Sequence, residues 1–390
     1  MKGIYWRPKR VSRWVLIGLA VAAIVGLAAV ELRPWPQIAE NRSDKLAASF
    51  LAERAMDIVK EERLSRGHTI DEHFDPAKTG LIGDSMSLVT SVPGNLRAKQ
   101  TSINPNFAAA VVDMLREAGV EQGDRVAVGC SGSFPALNIC VYAALEQLEA
   151  KPIVVASACA SQFGANMPDL MWVDMERLLY GRGLFSFRAK AASLGGYEDS
   201  GRGMSLQTRE LVVDALDRNL LPLLDGEALE DLIDQRMQIY LREASGEPIK
   251  AYINVGGGAA SVGRTEGKKR YEPGLNLDPP ADALEIDSVM TRFARQDVPV
   301  LHLVESVELA EKYGLPVAPQ ERPAVGAGGV YETWHYNRWL AAIVLVLLLV
   351  AMRSLVWSDL GVQVRALIAK LRGDAQARAR LYTTEGDYAV

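Results

Sequence analysis

Cysteine and histidine, the residues that most often betray metal or redox chemistry, are nearly absent: three and four in 390 residues. Cys130, Cys140 and Cys159 form no C-x-x-C, and no His/Cys spacing suits a metal, so neither a metal nor a cofactor is expected. An odd count leaves at least one thiol unpaired within a monomer. The spacing leaves two readings open, a Cys130–Cys159 bridge or buried free thiols. Internal repeats, low-complexity segments and the composition of a disordered chain are also missing. So are a Walker loop with its lysine and a G-x-G-x-x-G fingerprint.

Positive charge is outnumbered in the middle of the chain. Residues 1–31 carry net +4 and residues 353–390 net +2, leaving −11 for residues 32–352 in a chain of net −5. An acidic body excludes a general binder of nucleic acid or any other polyanion. An anionic ligand there would need a local site with its own donors.

Long apolar runs occur only near the two ends. Trp14 to Val30 holds 17 uncharged residues between Arg13 and Glu31, preceded by five basic residues. The rival reading, a cleaved signal peptide, meets Leu27, Val30 and Glu31 where small residues are wanted. Trp339 to Met352 holds 14, extended past Arg353 by Leu355, Val356 and Trp357 and followed by a basic tail. The pattern predicts two membrane spans, residues 14–32 and 334–357, in an inner membrane. Residues 1–13 and the tail 358–390 would then be cytoplasmic, and residues 33–330 an extracytoplasmic domain.

Within that domain, helical and strand patterns alternate. Helices are predicted over 41–66, 105–118, 135–148, 171–180, 205–216, 226–244, 287–295 and 305–313. Apolar strands are predicted over 125–129, 152–157, 185–192, 249–255 and 298–304, with a short one within 80–90. This order implies an α/β fold, a mostly parallel sheet covered by helices on both faces. Residues 316–329, rich in proline and glycine, read as a linker back to the second apolar run.

Three small-residue loops follow predicted strands. In Val126-Ala-Val-Gly-Cys-Ser-Gly-Ser-Phe-Pro135, a strand leads into Ser131, Gly132 and Ser133 and then a helix, an arrangement that favours an anion. Ser157-Ala-Cys-Ala-Ser161 follows the next strand, offering Ser157 and Ser161. Asn254-Val-Gly-Gly-Gly-Ala-Ala-Ser-Val-Gly263 offers Gly256, Gly257 and Gly258 as a nest of N–H groups, with Ser261 beyond. Arg264, Lys268, Lys269 and Arg270 follow, a basic cluster in an acidic body. Parallel sheets bind ligands beyond their strand C-termini, so the three loops are expected to share one crevice. The bland alternative is that the glycines are turns and the basic cluster a solvated run.

Ser131 is also a candidate nucleophile, because Gly129-Cys-Ser-Gly132 resembles a nucleophile elbow, although Ser133 breaks G-x-S-x-G. It would need a base, and His302 within a predicted strand reads as a packed core residue. Asp174 and Glu176, about 200° apart around a helix, cannot form an acid/base pair on one face. Their ordinary reading is one carboxylate at a buried edge and one in solvent.

The chain resembles the poly-gamma-glutamate system proteins, membrane proteins encoded alongside the ligase and membrane components of poly-gamma-glutamate capsule synthesis. The resemblance covers most of the central domain. It is carried by Thr79-Gly-Leu-Ile-Gly83, Ala98-Lys-Gln-Thr-Ser-Ile-Asn-Pro105, Val128-Gly-Cys-Ser-Gly-Ser-Phe-Pro-Ala-Leu-Asn138, residues 158–168 and Asn254-Val-Gly-Gly-Gly258. It implies a role in making, exporting or processing that polymer, with membrane-embedded synthase components as partners, and it brings no catalytic residues. The leading expectation is an accessory component binding a small anionic ligand or a polymer end through the strand-end loops. The alternatives are a serine hydrolase or amide transferase acting on the polymer through Ser131, and a structural scaffold for the synthase.

Overall fold

The computed structural model describes residues 13–32 and 35–357, in two compact units. The smaller unit takes helix α1 (Arg13–Glu31), most of strand β1 (Trp35–Ile38), and the chain from Thr333 onward. The larger runs from Ile38 to Glu332 and carries the α/β fold.

In chain order the larger unit holds α2 (Arg42–Ser65), α3 (Leu96–Ser102), α4 (Phe107–Glu117), β2 (Arg125–Ser131) and α5 (Pro135–Gln147). Strand β3 (Lys151–Ser157) precedes a small hairpin of β4 (Asn166–Met167) and β5 (Leu170–Met171). Then come α6 (Trp172–Gly181), β6 (Ala191–Ser193), α7 (Leu206–Arg218), β7 (Leu223–Leu224), α8 (Leu229–Ala244) and β8 (Ile249–Val255). Short helices α9 (Ala259–Val262) and α10 (Arg264–Lys268), strand β9 (Gly274–Asn276), α11 (Val289–Ala294), β10 (Val300–Leu303) and α12 (Ser306–Lys312) complete it.

Seven strands form one sheet in the order β7-β6-β3-β2-β8-β10-β9. Every pairing is parallel except that of β9 with β10. Side chains alternate between the two faces of a strand. Val126, Val128, Cys130, Val154, Ala156 and Ile253 therefore join a core beneath α2, α4, α5, α6 and α7. Ala127, Ile153, Val155 and Tyr252 join the opposite core, under α8, α9 and α11. Two buried faces explain why the central strands read as continuous apolar runs.

Local departures from the sequence reading have local causes. The strand expected over 185–192 shrinks to Ala191–Ser193 because Phe185 and Phe187 turn away to pack on Tyr142. Residues 80–90 form no strand beyond a single bridge of Thr90 to Ala160; Gly80 instead gives its N–H to Asp75. Residues 316–329 are docked on the domain rather than a free linker. Ala318 N–H reaches Thr101 Oγ1, Gly326 N–H reaches Asn106 Oδ1, and Arg322 pairs with Asp57. All three cysteines are free and buried, so no Cys130–Cys159 bridge forms.

The membrane expectation is overturned. The apolar runs are helical, as α1 and, after β11 (Glu332–His335), α13 (Arg338–Trp357). Yet no helix among the described residues is long and apolar enough to cross a membrane. The physical reason is reach. The 17 uncharged residues of α1 and the 14-residue run of α13 extend about 25 and 21 Å at 1.5 Å per residue, against a hydrocarbon core of roughly 30 Å. The two-span inner-membrane placement, with its cytoplasmic termini and extracytoplasmic domain, falls with them. Residues 1–12 and the basic tail 358–390 lie outside the described residues.

Candidate functional site

Strands β3, β2 and β8 are adjacent and parallel, so their C-terminal ends meet at one edge of the sheet. Ser131 stands opposite Ser157, and Cys130 opposite Val255. The loops beyond these ends line one cavity of about 540 Å³. Of the residues singled out by sequence, Ser131, Ser133, Ser157, Ser161, Gly257 and Gly258 line it. Lys99, Asp199, Lys268 and Glu305 line it too.

Gly132, Gly256 and Ser261 do not, and each serves the walls. A Cβ at Gly132 would lie 2.9 Å from Ala158 O, so glycine there lets the first loop lie against the second. Gly256 has φ +87°, and a Cβ on it would come within 2.4 Å of Ser131 Oγ. A side chain at 256 would be strained and would displace that serine. Ser261 faces the sheet, its Oγ accepting from Tyr252 OH at 3.0 Å. By contrast a Cβ at Gly257 meets only Lys268 Cδ, at 3.7 Å.

Asp199, in the cavity wall, belongs to a buried ion pair. Arg236 and Asp199 are both 1 % exposed and meet at 2.6 Å. The guanidinium also donates to Ser157 Oγ at 2.9 Å and Ser193 Oγ at 2.8 Å, and Ser157 Oγ donates to Asp199 at 2.6 Å. This network uses up the Ser157 hydroxyl and both charges.

Lys99 is different. It is 2 % exposed, on α3, whose start is fixed by Asn95 accepting the Ala98 N–H. Its Nζ donates to Ser133 O, meets Ser161 Oγ at 2.9 Å, and lies 3.7 Å over the Phe134 ring. No carboxylate pairs with it among the described residues. Burial, reinforced by the charge of Lys268, pushes its ammonium down to about 7. The aromatic face favours the cation, but burial dominates.

The remaining groups sort clearly. Ser131 Oγ has the Val255 carbonyl as its partner at 3.4 Å, and no titratable side chain bonds to it. His302 is buried between Asn254 and the Lys268 carbonyl, and burial pushes it down to about 4, so it is neutral at pH 7. Cys159 lines the cavity, but burial pushes its thiol up to about 12, which leaves it an unreactive wall. In the basic cluster only Lys268 lines the cavity, paired with Glu305 at 2.9 Å. Arg264 and Arg270 pair with Glu198 and Asp282 elsewhere. Asp174 and Glu176 are both buried, so neither is the solvated carboxylate expected. Asp174 binds Arg218 and the N-terminus of α6, while Glu176 accepts from Tyr142 OH and Ala189 N–H.

Sequence reasoning missed Lys99, Asp199 and Arg236. Lysine is almost never buried without a partner, so nothing in its composition marks Lys99. The usable signal was Asn95, a helix cap three residues before Ala98. Among the described residues no cluster of His, Cys, Asp and Glu could hold a metal ion. In comparisons with known proteins, no family model, curated protein or solved structure matches the chain, so its site is read from its own geometry.

Proposed function

We propose that the cavity binds a small carboxylate-bearing ligand, with Lys99 as its central cation. The observation that carries this reading is a buried lysine facing the cavity with no carboxylate of the protein's own. An ammonium so placed costs free energy unless something neutralises it, and an incoming anion does. Lys268, a second ammonium, lines the same cavity.

In the setting that the resemblance implies, the ligand is glutamate or the end of a poly-gamma-glutamate chain. The protein then serves as an accessory component that holds it for the synthase or export apparatus. A cavity of about 540 Å³ suits one or two residues rather than a length of polymer.

The test is calorimetric titration of the chain with gamma-glutamylglutamate, and with the same dipeptide bearing amidated carboxyl groups. Saturable binding of the free acid at pH 6, at least tenfold weaker for the triamide, is expected. Equal binding of the two would sink the anion reading.

A further inference from the structure

The cavity holds five serines among its lining residues, but their hydroxyls are not equivalent. Ser157 is committed to Arg236 and Asp199, and Ser131 to a carbonyl. Ser91 donates to Ala160 O, and Ser133 Oγ receives the Ser161 N–H at 3.1 Å. Ser161 alone has its hydroxyl on an amine, 2.9 Å from Lys99 Nζ.

We infer that Ser161 and Lys99 form a serine–lysine dyad that cleaves an amide by acyl transfer to Ser161. A neutral amine has two donors and one lone pair. Here Nζ can donate to Ser133 O and still accept the Ser161 hydroxyl proton. Its depressed ammonium supplies that neutral form near pH 7.

The chemistry balances with water as the sole co-reactant. Ser161 Oγ bonds to the amide carbonyl carbon as its proton passes to Nζ. The C–N bond breaks, and Nζ returns the proton to the departing amine. Nζ then takes a proton from water as the water oxygen attacks the acyl ester. That proton finally restores the Ser161 hydroxyl, and the acid leaves. Ser133 stands next to Ser161, its Oγ accepting the Ser161 N–H at 3.1 Å, which holds the loop that carries the nucleophile. This assignment departs from Ser131 as nucleophile, which has no base.

The dyad does not rest on the carboxylate reading of the cavity, since a carboxylate held on Lys99 would keep it protonated, and the experiment separates the two. The purified chain is treated with a fluorophosphonate probe between pH 6 and 9, and the adduct is mapped by peptide mass spectrometry. Gamma-glutamylglutamate binding is titrated on the same samples. One adduct per chain, on Ser161, is expected, with a rate that rises with pH and is half-maximal near 7. The charged groups that share the cavity with Lys99 are Lys268, Glu305 and Asp199, and of these Lys268 pushes its ammonium down further.

Ser161→Ala should abolish labelling. Lys99→Arg, which keeps the charge but offers no lone pair, should slow labelling at pH 8 at least tenfold. Circular dichroism confirms that each variant is folded, and Ser161→Ala decides the matter if Lys99→Arg does not fold. Dipeptide binding without a Ser161 adduct overturns the dyad and leaves the ligand reading intact. An adduct on Ser131 or Ser157, or a rate independent of pH, overturns it as well. A Ser161 adduct without dipeptide binding supports the dyad and rejects the carboxylate ligand.

Discussion

Two cations are buried at the same end of the sheet, and they are built in opposite ways. Arg236 has a carboxylate at 2.6 Å and two serine hydroxyls, so its charge is answered entirely by the protein. Lys99 has a carbonyl, one serine and an aromatic face, and no carboxylate. The residue types fit the difference. A guanidinium stays charged in any surroundings, whereas an ammonium can give up its proton when buried. The first arrangement makes a rigid wall. The second leaves a charge, or a lone pair, for whatever enters the cavity.

The sharpest way to break the contrast is to make Arg236 resemble Lys99. Asp199→Ala removes the carboxylate and strands a fully buried guanidinium. Breaking one partner of a buried pair typically costs about 3–5 kcal/mol. Urea denaturation should show a loss of that order, and Ser157 should lose its anchor as well. Removing both charges, as Arg236→Met with Asp199→Leu, should recover part of the loss, because no charge is then left unpaired. A double variant as unstable as Asp199→Ala would mean that packing, and not charge, holds the wall.

The next test sets Lys99 beside a buried acid of opposite sign. Glu176 accepts from Tyr142 OH and Ala189 N–H, and burial pushes its carboxyl up to about 7. Below about pH 4.5 both folded and unfolded forms hold its proton. As pH rises towards 7 the unfolded chain ionises first, and stability from this group is lost. Glu176→Gln should therefore gain on the wild type by about 1.4 kcal/mol per pH unit across that window. Lys99 runs the other way. Its folded ammonium is depressed, so between about pH 7 and 10.5 the unfolded chain binds more protons and wild-type stability rises with pH. The advantage of Lys99→Met should thus shrink by a similar slope above pH 7. Binding of gamma-glutamylglutamate should fall at least tenfold in Lys99→Met and be untouched in Glu176→Gln. Thermal melts across pH 4–10 and parallel titrations check both signs.

How much of this was legible depends on what each feature needs. The parallel α/β fold was readable because its strands are buried on both faces and its helices keep a period of their own, as in Arg42–Ser65 and Leu229–Ala244. The meeting of three strand-end loops followed from parallel pairing, which brings strand C-termini together. The lysine and the ion pair did not follow. Lys99, Asp199 and Arg236 come from α3, a loop and α8, and only the packing of distant segments makes them neighbours. Composition places such residues on the surface. The membrane spans failed for a different reason: the apolar runs are real, but at 17 and 14 residues they are too short.

The smallest expected effect belongs to Lys268, the exposed counterpart of Lys99 in the same cavity. It is about a third exposed and pairs with Glu305, itself more than half exposed, at 2.9 Å. Such a pair contributes about 0–1 kcal/mol to stability, since solvent screens it and two long side chains must be ordered. Lys268→Gln should leave the melting temperature nearly unchanged. Its charge still acts on an anion nearing the cavity, so ligand affinity should fall about two- to fivefold at low salt. At 0.5 M salt the Debye length is only about 4 Å, and the variant and wild type should then converge. The two substitutions therefore differ in kind as well as in size. The Lys268 effect disappears with salt, whereas the Lys99 effect persists because a buried charge is screened far less. If Lys99→Met and Lys268→Gln responded alike to salt, Lys99 would be sensing solvent, and its place as the cavity's central cation would be lost.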